Sequence, residues 1–254
     1  MLYWLQQSSA SYPPLAAGQP PPGLLHPEEM AEFTRLRTPR RRRDWLLGRW
    51  TAKHLLQRVL ADGEGRYPAL SRIVIANERG GAPYARLADG YRHTGCRLPY
   101  CLSISHTGHR GFCAVSLEPA LFVGVDIERV VARPAAAWED LLSPAERNFA
   151  QRVIAGEQDI YLTLFWSVKE AVFKALRLNG RAVPQAISCE PLLPARPHDW
   201  NPLGIDLDPT LITSAPTAGT YRAWWRVDDN YVLTLAIWSR AQGMSLTDDL
   251  LLAC

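Results

Sequence analysis

Tyr161 to Leu178 reads YLTLFWSVKEAVFKALRL, and at 100° per residue Leu162, Phe165, Trp166, Val172, Phe173 and Leu176 fall on one face of an amphipathic helix. Lys169 sits at the centre of that apolar face, where an unpaired ammonium is expensive. Glu170 and Lys174, four residues apart, stack along its border, either as an ordinary surface pair or as two groups reaching a cleft. Upstream, Leu121 to Val130 reads LFVGVDIERV, a strand whose period of two puts Asp126 and Glu128 on one face and Val125 and Ile127 on the other. Two carboxylates on one face repel each other unless a cation or an arginine stands between them, and their hard oxygens suit Mg²⁺. A strand leaving its sheet for solvent would also carry them. Between these stretches, Ser143-Pro144-Ala145-Glu146 has the form of a helix capping box with Pro at the first helical position, and Asn179-Gly180 is set to end the helical text.

Further upstream, Ser103-Ile104-Ser105-His106-Thr107-Gly108 reads as a strand end opening into a turn, where backbone and imidazole donors can meet an anion. A structural histidine fits the same text. Arg40 to Lys53, RRRRDWLLGRWTAK, puts a basic strip just ahead of the second of two helices read between Pro27 and Leu60, as a phosphate site or a solvated face would. Ile73–Ile75, Tyr100–Ile104 and Phe112–Leu117 read as strands, and Tyr221–Val227 with Tyr231–Trp238 as a hairpin through Asp228-Asp229-Asn230. The six prolines of residues 13–27 predict an extended segment wrapping the surface. Helix followed by strands recurs in both halves, which predicts an α+β protein of two related lobes, without a direct sequence repeat to support it. The lobes are expected at residues 1–120 and 121–254. Trp138, Leu141 and Leu142 are candidates for a docking surface or for packing between lobes.

The chain has 254 residues, 47% hydrophobic and 21% charged, which excludes a disordered, collagen-like or disulfide-stapled miniprotein. Five scattered cysteines and no secretory signal predict reduced thiols and a cytoplasmic location, and the short apolar start Met1–Leu5 predicts neither export nor membrane insertion. The tract His93, Cys96, Cys101, His106 and His109 raises a zinc site, although its spacing fits no paired-cysteine pattern. Through Val125 there are 16 basic and 9 acidic residues, and beyond it 12 and 16, so the halves differ in sign. A polyanion held at one end and a metal at the other would suit that asymmetry, as would two unrelated solvated surfaces. Only Lys53, Lys169 and Lys174 break an otherwise all-arginine basic set, so a compact point charge is wanted at those places or arose there by chance.

SISHTG, then GVDIE about twenty residues on, then FWSVKEAVFK resemble the signature of the 4′-phosphopantetheinyl transferase superfamily, over about residues 40–240. The linked G-x-D-x-E and W-S-x-K-E-x-x-x-K patterns are similar to those of its larger, monomeric, two-lobed type, which activates siderophore, surfactin and other peptide or fatty-acid synthases. The resemblance implies two α/β lobes related by a pseudo-two-fold, with the active site at their interface. It implies transfer of 4′-phosphopantetheine from coenzyme A to a serine of an apo acyl or peptidyl carrier protein, with 3′,5′-ADP released. Mg²⁺, with Mn²⁺ as the alternative, would be bound by Asp126, Glu128 and Glu170. Glu170 would also be the base for the carrier serine. Lys174 would contact the pyrophosphate, and Lys169, Ser105 and His106 would contact coenzyme A. Arg49 and Lys53, helped by Arg42 or Arg43, would lie near the 3′-phosphate. The family's basic residue before the proline of a Gly-x-Pro turn is replaced in Gly81-Ala82-Pro83, which leaves Arg79 as the candidate to supply that charge. The family chemistry needs charge neutralisation and an in-line attack, which these residue types can provide. A nucleic-acid binder using Arg40–Arg43 would leave the carboxylates unexplained, and a different Mg²⁺-dependent phosphoryl or nucleotidyl transferase would use the same carboxylates. Neither nucleic acid nor membrane is an expected partner.

Overall fold

The structure, a computed structural model, describes residues 1–65, 67–88, 96–132, 134, 136–153, 156–178, 183–192, 196, 198–208, 219–239 and 251–253. The chain divides into two compact units, Met1–Pro119 with Thr247–Cys254, and Ala120–Leu246. The C-terminal residues therefore belong with the first unit, not with the second as expected. A strand at Leu251–Ala253 pairs in parallel with the first strand of the chain, a partner that local patterning cannot reveal.

The first unit contains β1 (Leu2–Ser8), α1 (Pro13–Ala16), α2 (Pro27–Thr34), α3 (Pro39–Glu64), β2 (Ile73–Asn77), β3 (Pro83–Leu87), β4 (Cys101–Thr107) and β5 (Arg110–Ser116). Its main sheet runs C-terminal strand, β1, β5, β4, and β2 and β3 form a separate antiparallel pair. The apolar stripe of α3, Ala52, Leu55, Leu56, Val59 and Leu60, packs with Leu5, Leu102, Cys113 and Val115 and with Ile73, Ile75, Ala85 and Leu87. Thr38 caps α3 by accepting from the Arg41 amide at 3.3 Å, with Pro39 at the first helical position. Arg40–Arg43 are thus inside the first turns of the helix, not ahead of it, because Thr-Pro is itself the start signal. The proline-rich segment is not purely extended either: the Pro13-Pro14 pair starts α1, and Leu15 and Leu24 are buried with Phe33, Leu46 and Leu47.

The second unit contains β6 (Leu121–Arg129), α4 (Ala136–Glu139), α5 (Pro144–Arg152), α6 (Gln158–Leu176), β7 (Ile187–Pro191), β8 (Asn201–Leu207), β9 (Thr220–Asp228) and β10 (Tyr231–Ser239). The strands form one antiparallel sheet in the order β6-β10-β9-β8-β7. The β9–β10 hairpin turns through Asp229-Asn230, with Asp229 at φ 52°. The expected capping box starts α5: the Glu146 amide donates to Ser143 Oγ at 3.3 Å, and the Ser143 amide donates to Glu146 Oε2 at 2.8 Å. Helix α6 ends at Leu176 with Arg177 in the left-handed region at φ 57°, two residues short of the text read as helical; Asn179 and Gly180 lie outside the described residues. Leu162, Phe165, Val168, Val172 and Leu176 of α6 share a core with Ile187, Leu203, Trp225 and Ala236. Trp138, Leu141 and Leu142 belong to that same core, so they are neither a docking surface nor exposed. Helices segregated from antiparallel sheets make this an α+β protein, as the sequence predicts. Among the described residues no helix is long and apolar enough to cross a membrane.

Candidate active site

Helix α6 lies unusually close to β6. A Cβ on Gly124 would overlap the Ala171 carbonyl oxygen and stand 2.5 Å from the Ala175 amide nitrogen, so only glycine opposite two alanines permits the approach. That contact brings the helix border against the carboxylate face of the strand. Lys174 Nζ donates to Asp126 Oδ1 at 2.8 Å and to the Val125 carbonyl at 2.9 Å. Ser167 Oγ donates to Asp126 Oδ2 at 2.9 Å and lies 2.9 Å from Thr234 Oγ1, on the residue paired with Asp126 across β10. Trp166 Nε1 donates to Glu128 Oε1 at 3.1 Å. Asp126, Ser167 and Thr234 are buried, whereas Glu128, Glu170 and Lys174 are half-buried and border solvent. Burial pushes the Glu170 carboxyl up; Lys174 opposes the rise and the Asp126 charge adds to it.

Asp126, Glu128, Glu170 and Lys174 are thus gathered where α6 meets β6. In chemical type their oxygens are donors that a divalent cation of the Mg²⁺ class takes. Among the described residues, however, no three His, Cys, Asp or Glu side chains stand close enough to hold a metal ion, and Asp126 directs its two oxygens to Lys174 and Ser167. The same holds for the histidine–cysteine tract raised as a zinc site; its His93 lies outside the described residues.

Two of the three lysines do other work. Lys169 Nζ is fully buried and donates to Glu146 Oε2 at 2.7 Å and to the carbonyls of Leu141, Pro184 and Ile187 at 3.0, 3.1 and 2.7 Å. Glu146 in turn accepts from the Cys189 amide at 2.9 Å, so one ion pair ties α5, α6 and β7 together. Lys53 of α3 is equally buried and donates to Glu29 Oε2 and, at 2.6 Å, to the Leu24 carbonyl, while Glu29 accepts from the Ile75 amide at 3.0 Å. Burial pulls the Lys53 ammonium down and Glu29 raises it again. Both lysines are enclosed by the protein's own acceptors, so the expectation that they contact coenzyme A is corrected. The apolar stripe around each is the core wall, and the counter-charge comes from a helix far away in sequence.

In the first unit a cavity of about 400 Å³ is lined by residues that include Arg41, Trp45, Arg49, Gly81, Pro83 and His106. Arg49 is held over the Trp45 ring at 3.8 Å, its Nη2 lies 3.4 Å from Glu32 Oε2, and its buried Nε has no partner. His106 reaches the cavity, while alternation along β4 turns the neighbouring Ser105 to the opposite face of the sheet, so the two do not act side by side. Arg42 is engaged elsewhere, donating to the Leu36 carbonyl at 2.9 Å and lying over Phe33, and Arg43 packs at Gly18. Arg79 is exposed on the β2–β3 turn and outside the lining, where Arg41 takes the place expected of Arg42 or Arg43. The sequence reading missed Arg41, Glu146, Ser167 and Thr234, and it missed an internal repeat: Trp50-Thr51-Ala52-Lys53 against Trp166-Ser167-Val168-Lys169.

Residues 122–236 match the family model of the 4′-phosphopantetheinyl transferase superfamily. No curated protein matches the chain. Among solved structures it is similar to an ACPS–CoA complex of Chronobacterium ammoniagenes, at 20% identity and a TM-score of 0.39 over 48% of this chain and 99% of that one. A Thermotoga maritima holo-[acyl-carrier-protein] synthase is similar at 15% identity and a TM-score of 0.37, over 48% of this chain and 66% of that one. A holo-(acyl-carrier-protein) synthase of Bacillus anthracis in complex with CoA (3′,5′-ADP) is similar at 13% identity and a TM-score of 0.36, over 47% and 96%.

Proposed function

We propose that this chain, whose residues 122–236 match the 4′-phosphopantetheinyl transferase superfamily model, moves 4′-phosphopantetheine from coenzyme A to a serine hydroxyl of an apo acyl or peptidyl carrier protein. The observation that carries the reading is the gathering of Asp126, Glu128, Glu170 and Lys174 at the α6–β6 contact, inside the matched segment.

In this reading the serine oxygen forms a bond to the β-phosphorus of coenzyme A as the bond from that phosphorus to the bridging oxygen breaks, releasing 3′,5′-ADP. The serine proton passes to the Glu170 carboxylate, which lies at the solvent border and can meet a docked hydroxyl. The Lys174 ammonium faces the charge that develops on the departing 3′,5′-ADP. Asp126, Glu128 and Glu170 would hold Mg²⁺ or Mn²⁺, which when bound supplies neutralisation of the pyrophosphate oxygens. Lys174, half-buried and donating to Asp126, would offer its ammonium to the phosphates as well. In the first unit, taken by itself, the cavity lined by Arg41, Arg49 and His106 would suit an anionic group, and the unpartnered buried Arg49 Nε supports an anion there. Among the described residues Cys96, Cys101, Cys113 and Cys189 form no disulfide, in keeping with a cytoplasmic enzyme, which we propose acts as a monomer.

The test is the intact mass of apo carrier proteins after incubation with the chain, coenzyme A and Mg²⁺. A gain of one phosphopantetheine, abolished by a chelator, is expected. Failure to bind coenzyme A at all would overturn the reading.

A further inference from the structure

Resting on the reading that the first-unit cavity takes an anionic group, we infer that Glu32 is a positioning residue, which holds Arg49 from outside the cavity in the orientation an anion completes. Arg49 and Trp45 are four residues apart on α3 and share one face, with the guanidinium stacked on the indole ring at 3.8 Å. Glu32 of α2 spans both: its Oε1 accepts from Trp45 Nε1 at 3.3 Å and its Oε2 from Arg49 Nη2 at 3.4 Å. The ring fixes the plane of the guanidinium, and the carboxylate fixes its rotation within that plane. Arg49 is 7% exposed, and its Nε–H, buried and among the described residues without a partner, is the donor left for a ligand. Burial pulls the guanidinium down from its usual value, and Glu32 with Glu29 opposes the fall. Glu32 does not line the cavity, so it acts on a ligand there through Arg49.

The second unit shows that helix packing does not demand this arrangement. Counted from the buried ion pair Glu29–Lys53, Glu32 lies three residues beyond the glutamate, and Arg49 and Trp45 lie four and eight before the lysine. The same steps from Glu146–Lys169 lead to Phe149, Phe165 and Tyr161. Those three form a cluster of rings, with the Phe149 centroid 5.1 Å from that of Tyr161 and 5.8 Å from that of Phe165, both contacts edge-to-face. Apolar rings can therefore fill this place between the two helices without a buried charge. A guanidinium, a carboxylate and an indole take their place only in the unit whose cavity also carries Arg41 and His106.

The experiment is binding of 3′,5′-ADP, the product of the proposed reaction, by titration calorimetry at one ionic strength, on the full chain and on Glu32→Ala, Glu32→Gln and Arg49→Gln. Two roles for Glu32 predict opposite signs. As a bare negative charge near the cavity it would repel the phosphates, and Glu32→Ala would bind about twofold or more tighter. As the residue that holds Arg49 it is needed, and Glu32→Ala is expected to bind about tenfold more weakly, the usual effect of losing a hydrogen bond to a charged group. Glu32→Gln keeps the length and an acceptor, and should stay within about threefold of the native chain. Arg49→Gln should weaken binding by about tenfold or more. Should Arg49→Gln fail to fold, the triple variant Glu32→Phe, Trp45→Tyr, Arg49→Phe removes the guanidinium with the packing that the second unit already uses. Binding by Glu32→Ala as tight as the native chain's or tighter, with binding lost in the Arg49 variant, overturns the positioning role alone. Native-like binding by the Arg49 variant overturns the anion reading of the cavity, and the positioning role with it. No binding by the native chain overturns the proposed function itself.

Discussion

On α3 of the first unit and α6 of the second, a similar four-residue text, Trp50-Thr51-Ala52-Lys53 and Trp166-Ser167-Val168-Lys169, performs the same structural task and then diverges. In each unit the lysine is buried against the third residue of a helix that begins with a capping box, Glu29 of α2 or Glu146 of α5, and that glutamate also accepts the amide of a following strand, Ile75 or Cys189. One residue on, the units part. His54 follows in the first, its Nδ1 2.9 Å from the Trp50 carbonyl, and Glu170 follows in the second, beside Asp126 and Lys174. The lysine–glutamate clamp is therefore scaffold, and the chemistry depends on what stands beside it and on the strand it faces.

The clamps should give the largest stability effects. Glu146→Ala and Glu29→Ala each leave a buried ammonium without its counter-charge, and each should cost about 3–5 kcal/mol, measured by denaturant unfolding. The double variant Glu29→Gln with Lys53→Met keeps a capping side chain and removes both charges, and should recover most of that loss. A large loss in one unit only would break the comparison. The close glycines come next: Gly124→Ala meets helix backbone and should cost about 3 kcal/mol, while Gly111→Ala on β5 meets movable side chains, Thr51 Oγ1 at 2.5 Å and Leu47 at 3.1 Å, and should cost nearer 1 kcal/mol. The smallest effect belongs to His54. Burial, with Arg58 adding to it and the Trp50 carbonyl opposing, holds its imidazole below the usual 6.5. The unfolded chain then takes up the proton first, so stability falls as pH drops through 6.5 towards the folded value and falls no further below it. His54→Gln should flatten that segment of a melting-temperature profile.

Much of the second unit was legible because its signals are local. The alternation of Leu121–Val130, the Ser143–Glu146 box and the stripe of Tyr161–Leu178 each declare an element within a few residues, and together they place the carboxylates and Lys174. The lysines were not legible for the opposite reason. Lys53 and Lys169 looked available for phosphate because their glutamates lie more than twenty residues away, and only packing brings them together. The parallel strand at Leu251–Ala253 and the burial of Trp138, Leu141 and Leu142 are non-local in the same sense. Arg41, not Arg42 or Arg43, lines the first-unit cavity, because the start of α3 at Pro39 sets the direction of each arginine, and the resemblance that pointed to Arg42 and Arg43 carries no such register. The repeated Trp-Thr/Ser-x-Lys text was in plain view, but it is only four residues long and its meaning comes from the glutamates.

The most direct measurement compares the native chain with Glu170→Ala for phosphopantetheine transfer to an apo carrier protein, by intact mass, alongside the melting temperature of each. The account predicts transfer by the native chain and none by the variant, with melting temperatures close together, since Glu170 is outside the clamp and burial already disfavours its charge. Transfer by Glu170→Ala at the native rate would contradict it.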